Sequence, residues 1–287
     1  MNSEILSRPR FEGSNICTWI GFKHVMYLIE EAVLEHLRRH GMSPRELYER
    51  DGLGVEFVDS DARIATALHM DDLVRTEVEP QPAENDGDVL VFKTASYVDT
   101  VRAATATVRV RLIPATEVGT PRLVRTAADL DGRGTVDSDI DGLAAGANAI
   151  VWRWRIPYFY CHYSERLQHS GYLRLMEEVV DIFLARRGIS IRDMLAGRRW
   201  IPVVPNARVR ILEPAYMEET LYTVFTVEDI FKDLLYTARF DCYVPRDDDL
   251  VRTATGRITH GYAEVVDRRD WRHVPFDDKT TAALRAE

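Results

Sequence analysis

Between residues 162 and 178 the chain gathers groups that could move a proton beside a polarised carbonyl. His162 is followed by Glu165, then by His169, Ser170, Gly171 and Tyr172, where a helix-spaced apolar run begins. A histidine with an ordinary pKa of about 6.5 suits general-base work near neutrality. Glu165, in the same loop, could orient that imidazole or act as the base itself. The bland readings are a solvent-exposed loop histidine and a surface carboxylate. The first N–H groups of a helix lack intrahelical partners, and the helix dipole adds to them, so the turn Leu167–Tyr172 could hold a developing oxyanion. Ser170 and Gly171 are small enough for a carbonyl to approach the backbone. His169 could cap the helix, touch a substrate or simply pack. Two turns further on stand Glu177 and Glu178, of which one must point toward whatever the helix packs on.

The elements that must position these groups occur twice. KHVMYLIEEAVLEHLRRHGMSPREL, from Lys23, matches GYLRLMEEVVDIFLARRGISIRDML, from Gly171: Glu30-Glu31 fall on Glu177-Glu178, Gly41 on Gly188 and Arg45 on Arg192. Near the end of each half, VRAATATVRV (Val101–Val110) resembles VRTATGRITH (Val251–His260) at nearly the same offset. Two matches in one order mean an internal duplication. Met26, Ile29, Val33 and Leu37 share one helix face, as do Leu175, Val179 and Phe183, and Gly41 and Gly188 are the stops. Val108, Val110 and Leu112 alternate with Arg109 and Arg111, and Ala207, Val209 and Ile211 with Arg208 and Arg210, which predicts antiparallel strands with one wet face. Thr220–Val227 and Val151–Tyr160 also read as strands, the latter with Pro157 near an edge. Each half is then one strand, one long helix and about four antiparallel strands: residues 1–113 and 149–287, joined by a Gly-, Asp-, Thr- and Ala-rich linker over 114–148 with at most one short helical turn.

Composition bounds the rest. The 287 residues are 46 % hydrophobic and 29 % charged, which is enough for a sizeable core. A net charge of −9 speaks against a nucleic-acid partner. No apolar run is long enough to span a membrane, and the start has no export-signal pattern. Cys17, Cys161 and Cys242 are odd in number and unpatterned, which fits a reducing cytoplasm better than a disulfide framework. Cys161 beside His162 would point away from it in a strand, so a Cys–His nucleophile pair is not expected. His24, His36 and His40 lack metal spacing, and no metal or resident cofactor is expected. Arg198-Arg199-Trp200 reads as a solvated turn, with a phosphate clamp as the sharper alternative. Only Lys23, Lys93, Lys232 and Lys279 are lysines among 37 basic residues, a codon bias of GC-rich bacterial genomes.

The order of elements resembles the hot-dog fold, a sheet wrapped round a long helix, here in tandem: an α+β double hot-dog. HSGYLRLMEEVVDIFLARRGI (His169–Ile189) is similar to the H-x-N-Y-L-R-[FW]-x-E segment of the 4-hydroxybenzoyl-CoA thioesterase group. FEGSNICTW (Phe11–Trp19) resembles the F-E-x-T-N-L-V-G-N loop of small thioesterases from enediyne polyketide pathways. Departures are plain. Gly171 stands where the group has Asn, and the loop aspartate of that group falls on His162 in the second half and on Asn15 in the first. The resemblance implies an acyl thioesterase acting on acyl-CoA or an acyl carrier protein in bacterial polyketide or fatty-acid-type metabolism, the substrate itself bringing CoA or phosphopantetheine. It makes His162 the first choice of base and His169, Ser170, Gly171 and Tyr172 the carbonyl site. Glu177 or Glu178 stands where some relatives carry their carboxylate. Asn15, with Ser14 and Thr18, is the counterpart loop, and Tyr27, Glu30 and Glu31 could line either site. Two alternatives are a hydratase or dehydratase on acyl thioesters, using His162 and Glu165, and a non-catalytic acyl-binding protein. Duplication can replace the usual dimer, and further self-assembly stays open.

Overall fold

The two long helices form where the apolar spacing puts them. The computed structural model describes residues 1–115, 140, 142–145, 147–161, 164–246, 249–268 and 270–285. Helix α1 (Phe22–Arg39) buries Met26, Ile29, Val33 and Leu37, with Phe22, Val25 and Ala32 widening the stripe. It ends at Gly41, whose φ of +76° needs glycine, and Met42 N–H returns to the Leu37 carbonyl at 2.9 Å. A short helix, α2 (Pro44–Asp51), follows. The strands are β1 (Ser3–Ser7), β2 (Leu53–Ile64), β3 (Val74–Pro80), β4 (Val89–Val98) and β5 (Val101–Pro114), all antiparallel, in the order β1-β3-β4-β5-β2. Helix α1 packs on all five.

The second half repeats the plan. Its elements are β6 (Ala149–Arg155), α3 (His169–Arg186), α4 (Ile191–Arg198), β7 (Trp200–Ile211), β8 (Thr220–Phe231), β9 (Leu235–Arg246), β10 (Asp249–Val265), β11 (Trp271–Val274) and a last helix α5 (Asp278–Arg285). The strand order is β7-β10-β9-β8-β6, with β11 on β10. Leu175, Val179 and Phe183 of α3 are buried, and the Phe183 ring lies 5.3 Å from that of Phe225 in β8.

The duplication extends to single hydrogen bonds. Ile20 N–H donates to the Leu68 carbonyl at 2.8 Å, as Leu167 donates to Ala215 at 2.8 Å. Met70 donates to Thr18, as Met217 donates to Glu165. His69 N–H is held by the Asp72 carboxylate at 2.7 Å, and Tyr216 N–H by Glu219 at 2.7 Å. In both halves, then, the loop before the long helix is tied to the loop that follows the strand after the short helix.

By contacts the chain forms two compact units: Met1–Arg122 with Gln168–Ser170 and Asn206–Arg210, and Leu123–Leu167 with Gly171–Pro205 and Ile211–Glu287. The first unit thus takes in the opening residues of α3 and a segment of β7, which pairs with β2 from Asp59↔Arg210 to Arg63↔Asn206. The expected linker over 114–148 falls mostly outside the described residues; Ile140 is buried.

Several expectations need correction. The strand over Val151–Tyr160 stops at Arg155, because Pro157 has no N–H for the ladder, and Tyr158–Tyr160 is a 3-10 turn. Cys161 closes that turn rather than sitting in a strand; it is buried, and burial pushes its thiol up to about 12. At the end of β5, Leu112 is half-buried while Ile113, opposite Gly54, is buried. Arg109 and Arg208 are not simply a wet face: both reach the buried Asp59, Arg208 at 2.7 Å and Arg109 at 3.2 Å. Arg198 pairs with Asp277 at 2.5 Å and Trp200 is buried against Tyr262, so that cluster holds elements together rather than forming a solvated turn. Each half also carries a short helix after the long one, α2 and α4, which the expected order of elements left out. Ser43 and Ser190 precede them, with Glu46 and Asp193 three residues on, and Ser190 Oγ accepts from Asp193 N–H.

Burial sets the acid response of this fold. His260 of β10 is enclosed, stacked on Tyr236 at 5.3 Å, and neither ring nitrogen has a partner among the described residues. Burial holds its pKa down at about 3, and burial with neighbouring His40 holds His36 at about 4. Such imidazoles stay neutral when folded and take up protons on unfolding below about 6.5. Stability therefore falls as pH drops from about 6.5 toward about 3 for His260 and about 4 for His36, with a slope of up to about 1.4 kcal/mol per pH unit for each. Denaturant midpoints taken between pH 7 and 4 should decline, and His260→Phe should flatten the decline. An unchanged slope in that variant would contradict the account.

Candidate active site

Helix α1 carries two acids at neighbouring positions, and its periodicity separates them. Glu30 falls four residues after Met26 and three before Val33, on the apolar stripe. It is buried to 9 % exposure, whereas Glu31 is exposed and 3.9 Å from Arg38. A carboxylate in such a place needs a charged or hydrogen-bonding partner. That partner is His169, the first residue of α3, whose Nδ1 lies 2.5 Å from Glu30 Oε1, with the imidazole 2 % exposed. Both residues belong to the first unit. With Nδ1 donating to the carboxylate, the lone pair is left on Nε2. That atom is buried and has no hydrogen-bond partner among the described residues.

One turn before Glu30, Tyr27 donates its hydroxyl to the Ser170 carbonyl at 2.9 Å. Tyr27 and Glu30 are spaced to share one side of α1. The helix thus grips two consecutive residues, His169 by its side chain and Ser170 by its backbone. The Tyr27 ring also meets His24 edge-on at 5.2 Å, and His24 Nε2 lies 3.4 Å from Glu12 Oε1. A Cβ on Gly13 would come within 2.6 Å of the His24 ring, so the Phe11–Gly13 turn is pressed on that imidazole and only glycine fits there.

The remaining sequence candidates separate. Gly171 is buried; a Cβ there would lie 2.6 Å from the Cδ1 end of Leu167 and 3.3 Å from Tyr160 Cβ, so a side chain at this position would have to displace both. Tyr172 is fully buried, and burial raises its hydroxyl well above the usual range. Glu177 is half-buried; Glu178 is on the exposed side of α3, its carboxyl raised by partial burial. Glu165 is half-buried, its carbonyl accepting from Met217. Asn15 is exposed and donates its N–H to Trp19 at 2.7 Å; Ser14 bonds to Phe11 and Thr18 to His69. His162 lies outside the described residues. Among the described residues no group of three or more His, Cys, Asp or Glu side chains could hold a metal, and no helix is long and apolar enough to cross a membrane.

The structure brings together Tyr27, Glu30, His169 and Ser170, all candidates in the sequence. The direct Glu30–His169 bond spans 139 residues and has no local pattern to announce it. The His24–Glu12 contact was missed altogether.

No family model and no curated protein matches the chain. Solved structures do. A protein described as an oleoyl thioesterase from Lactobacillus plantarum superposes with a TM-score of 0.63 at 11 % identity, covering 96 % of this chain and 97 % of its own. The 12:0-ACP thioesterase of Umbellularia californica gives 0.61 at 11 %, covering 94 % and 97 %. An acyl-ACP thioesterase from Bacteroides thetaiotaomicron gives 0.60 at 8 %, covering 90 % and 97 %. The chain is a tandem double hot-dog protein that shares the fold of these thioesterases.

Proposed function

We propose that the chain hydrolyses an acyl thioester, releasing a free acid and a thiol. The observation that carries this reading is the buried Glu30–His169 pair at the amino end of α3. Glu30 fixes the tautomer and direction of the imidazole, and Nε2 serves as the base. The thioester carbonyl sits against the first amides of α3, where a helix N-terminus favours developing negative charge. His169 Nε2 takes a proton from water, and the hydroxide adds to the carbonyl carbon. The tetrahedral oxyanion is held by the amides and collapses by breaking the C–S bond. The departing thiol has a pKa of about 8.5, so it leaves as thiolate without an acid placed beside it, and the imidazolium returns its proton to solvent or to the sulfur. These steps use no cofactor beyond the one the substrate brings. The direct 2.5 Å contact favours a base with its orienter over an acid and a base set on opposite sides of a substrate, the arrangement that removal of water would use. The Phe11–Trp19 loop supports a setting in bacterial polyketide or fatty-acid-type metabolism, and three free cysteines fit a reducing compartment.

The test is release of free thiol from a panel of acyl-CoAs and acyl-pantetheines, with the absorbance of an enoyl thioester followed in parallel. His169→Asn should lower kcat by at least about 100-fold with the circular dichroism spectrum retained. Full activity in that variant would remove the assignment, and consumption of the enoyl thioester without thiol release would replace hydrolysis by hydration.

Glu30→Gln keeps the shape and removes the charge that orients the ring. Its kcat should fall by about 10- to 100-fold with KM little changed. Tyr27→Phe removes one hydrogen bond to the backbone beside the base and should cost about fivefold in kcat. A KM effect in Tyr27→Phe without a kcat effect would show that the hydroxyl binds substrate rather than holding the start of α3.

A further inference from the structure

The carboxyl end of α1 holds a pair of histidines that the hydrolytic steps do not use. His24, His36 and His40 taken together have no metal spacing, but the last two stand one helical turn apart, in His36-Leu37-Arg38-Arg39-His40. Two imidazoles four residues apart on a helix share one side of it and can close on a single cation. The fold brings these two together: their ring centroids are 4.2 Å apart and their planes are tilted by 30°. Each ring is also held from behind through Nδ1. His40 Nδ1 donates to the His36 carbonyl at 2.8 Å, and His36 Nδ1 lies 2.8 Å from the Ser3 hydroxyl of β1. Phe92 of β4 meets the His36 ring edge-on at 5.5 Å. Among the described residues neither Nε2 has a hydrogen bond. His40 is exposed, and the Nε2 of the more deeply set His36 is not among the enclosed polar atoms.

A histidine that ligates a metal through one nitrogen commonly gives the proton on its other nitrogen to an oxygen, which sets the tautomer and the direction of the ring. Both rings have that contact here, from the backbone for His40 and from Ser3 for His36, and each then offers the Nε2 lone pair. With bonds of about 2.0 Å, a tetrahedral ion needs its two nitrogens about 3.3 Å apart, which a small turn of the exposed His40 ring provides. The last turn of α1 also favours a cation, because its carbonyls carry the negative end of the helix dipole. The guanidinium groups of that turn are engaged elsewhere: Arg38 with Glu31 and Glu35, Arg39 with Glu35 and the Glu4 carbonyl. We infer that His36 and His40 form a binding site for one divalent transition cation of the zinc, nickel or copper(II) class, with water completing its shell. Imidazole nitrogen suits these ions, whereas magnesium and calcium seek oxygen ligands, and the Glu35 carboxylate is taken by the two arginines. His36 lies six residues past Glu30, about 9 Å along the helix. The ion therefore has no part in the hydrolytic steps, and the site stands or falls independently of them.

Calorimetric titration tests it. The full chain, stripped with EDTA and desalted, should bind one ion per chain saturably from ZnCl2 and from NiCl2, and MgCl2 or CaCl2 at the same concentration should give no binding. His40→Ala replaces an exposed side chain and should weaken the binding by about tenfold or more, since the second bond of a chelate forms at high effective concentration. Ser3→Ala, which removes the contact behind His36, should weaken it by about tenfold. His273→Ala removes an exposed histidine of β11 and should change nothing. The copper(II) complex should show a paramagnetic resonance pattern of two equatorial nitrogens, reduced to one in His40→Ala. The unfolding midpoint should rise with ZnCl2 in the wild type and stay still in His40→Ala. No saturable binding, an affinity unmoved by His40→Ala, or a one-nitrogen copper signal in the wild type would overturn the site. Loss of the ion in His273→Ala would also overturn it, placing the cation on β11 instead.

Discussion

A carboxylate inside a hydrophobic helix face is tolerated only if something answers its charge, and the first unit is arranged round that requirement. Glu30 stands on the stripe that α1 uses to cover its sheet, where a leucine would pack without cost. Its answer is a histidine 139 residues away. The contact is short, it is enclosed, and it takes only one of the two ring nitrogens. Removing either partner would strand the other in a low-dielectric interior. The pair therefore ties the start of α3 to α1, and Tyr27 adds a second tie one residue further along.

The duplication makes the asymmetry of this arrangement visible. Backbone hydrogen bonds recur at corresponding positions in both halves, from the loops before the long helices to the glycine stops after them. Such contacts are indifferent to most side chains, so they persist while the residues they carry diverge. Position for position, Glu177 matches Glu30, but the residue matching His169 is Phe22, which is buried and has no group to offer a carboxylate. The same divergence appears in the interior of the second unit. His260 and Tyr262 of β10 stand where the matching strand β5 has Val110 and Leu112. One copy keeps apolar packing and the other acquires polar groups.

This division also decides what could be read from the sequence. The long helices, their stops, the inward residues of most strands and the tandem order follow from periods of 3.6 and 2 and from Gly41 and Gly188, all of which act locally. The extent of β6 was over-read because alternation of Trp and Arg continues up to Ile156, while the missing N–H of Pro157 ends the ladder. Glu30 could be told from Glu31 by its place on the apolar stripe, and His169 by its place at the helix start, but their union could not, since no spacing rule links residues so far apart. Gly171, which stands where the resembling motif has Asn, packs closely against Leu167 and Tyr160, a neighbourhood that no local spacing announces.

The hydrolysis proposed for this site is modest chemistry, and that fits how little machinery is gathered there. An activated acyl–sulfur bond needs a base for water and fixed dipoles for the oxyanion, and its leaving group needs no proton in advance. A helix terminus provides the dipoles whatever side chains follow, provided that the residue at closest approach is small, as Ser170 and Gly171 are. The one component that the backbone cannot provide is a directed base. A histidine alone at a helix start would sample several rotamers and both tautomers. Bound by Glu30 through Nδ1 and closed in to 2 % exposure, it has one tautomer and one direction for its remaining lone pair. Burying the acid in α1 thus spends some fold stability on fixing a single nitrogen atom of α3.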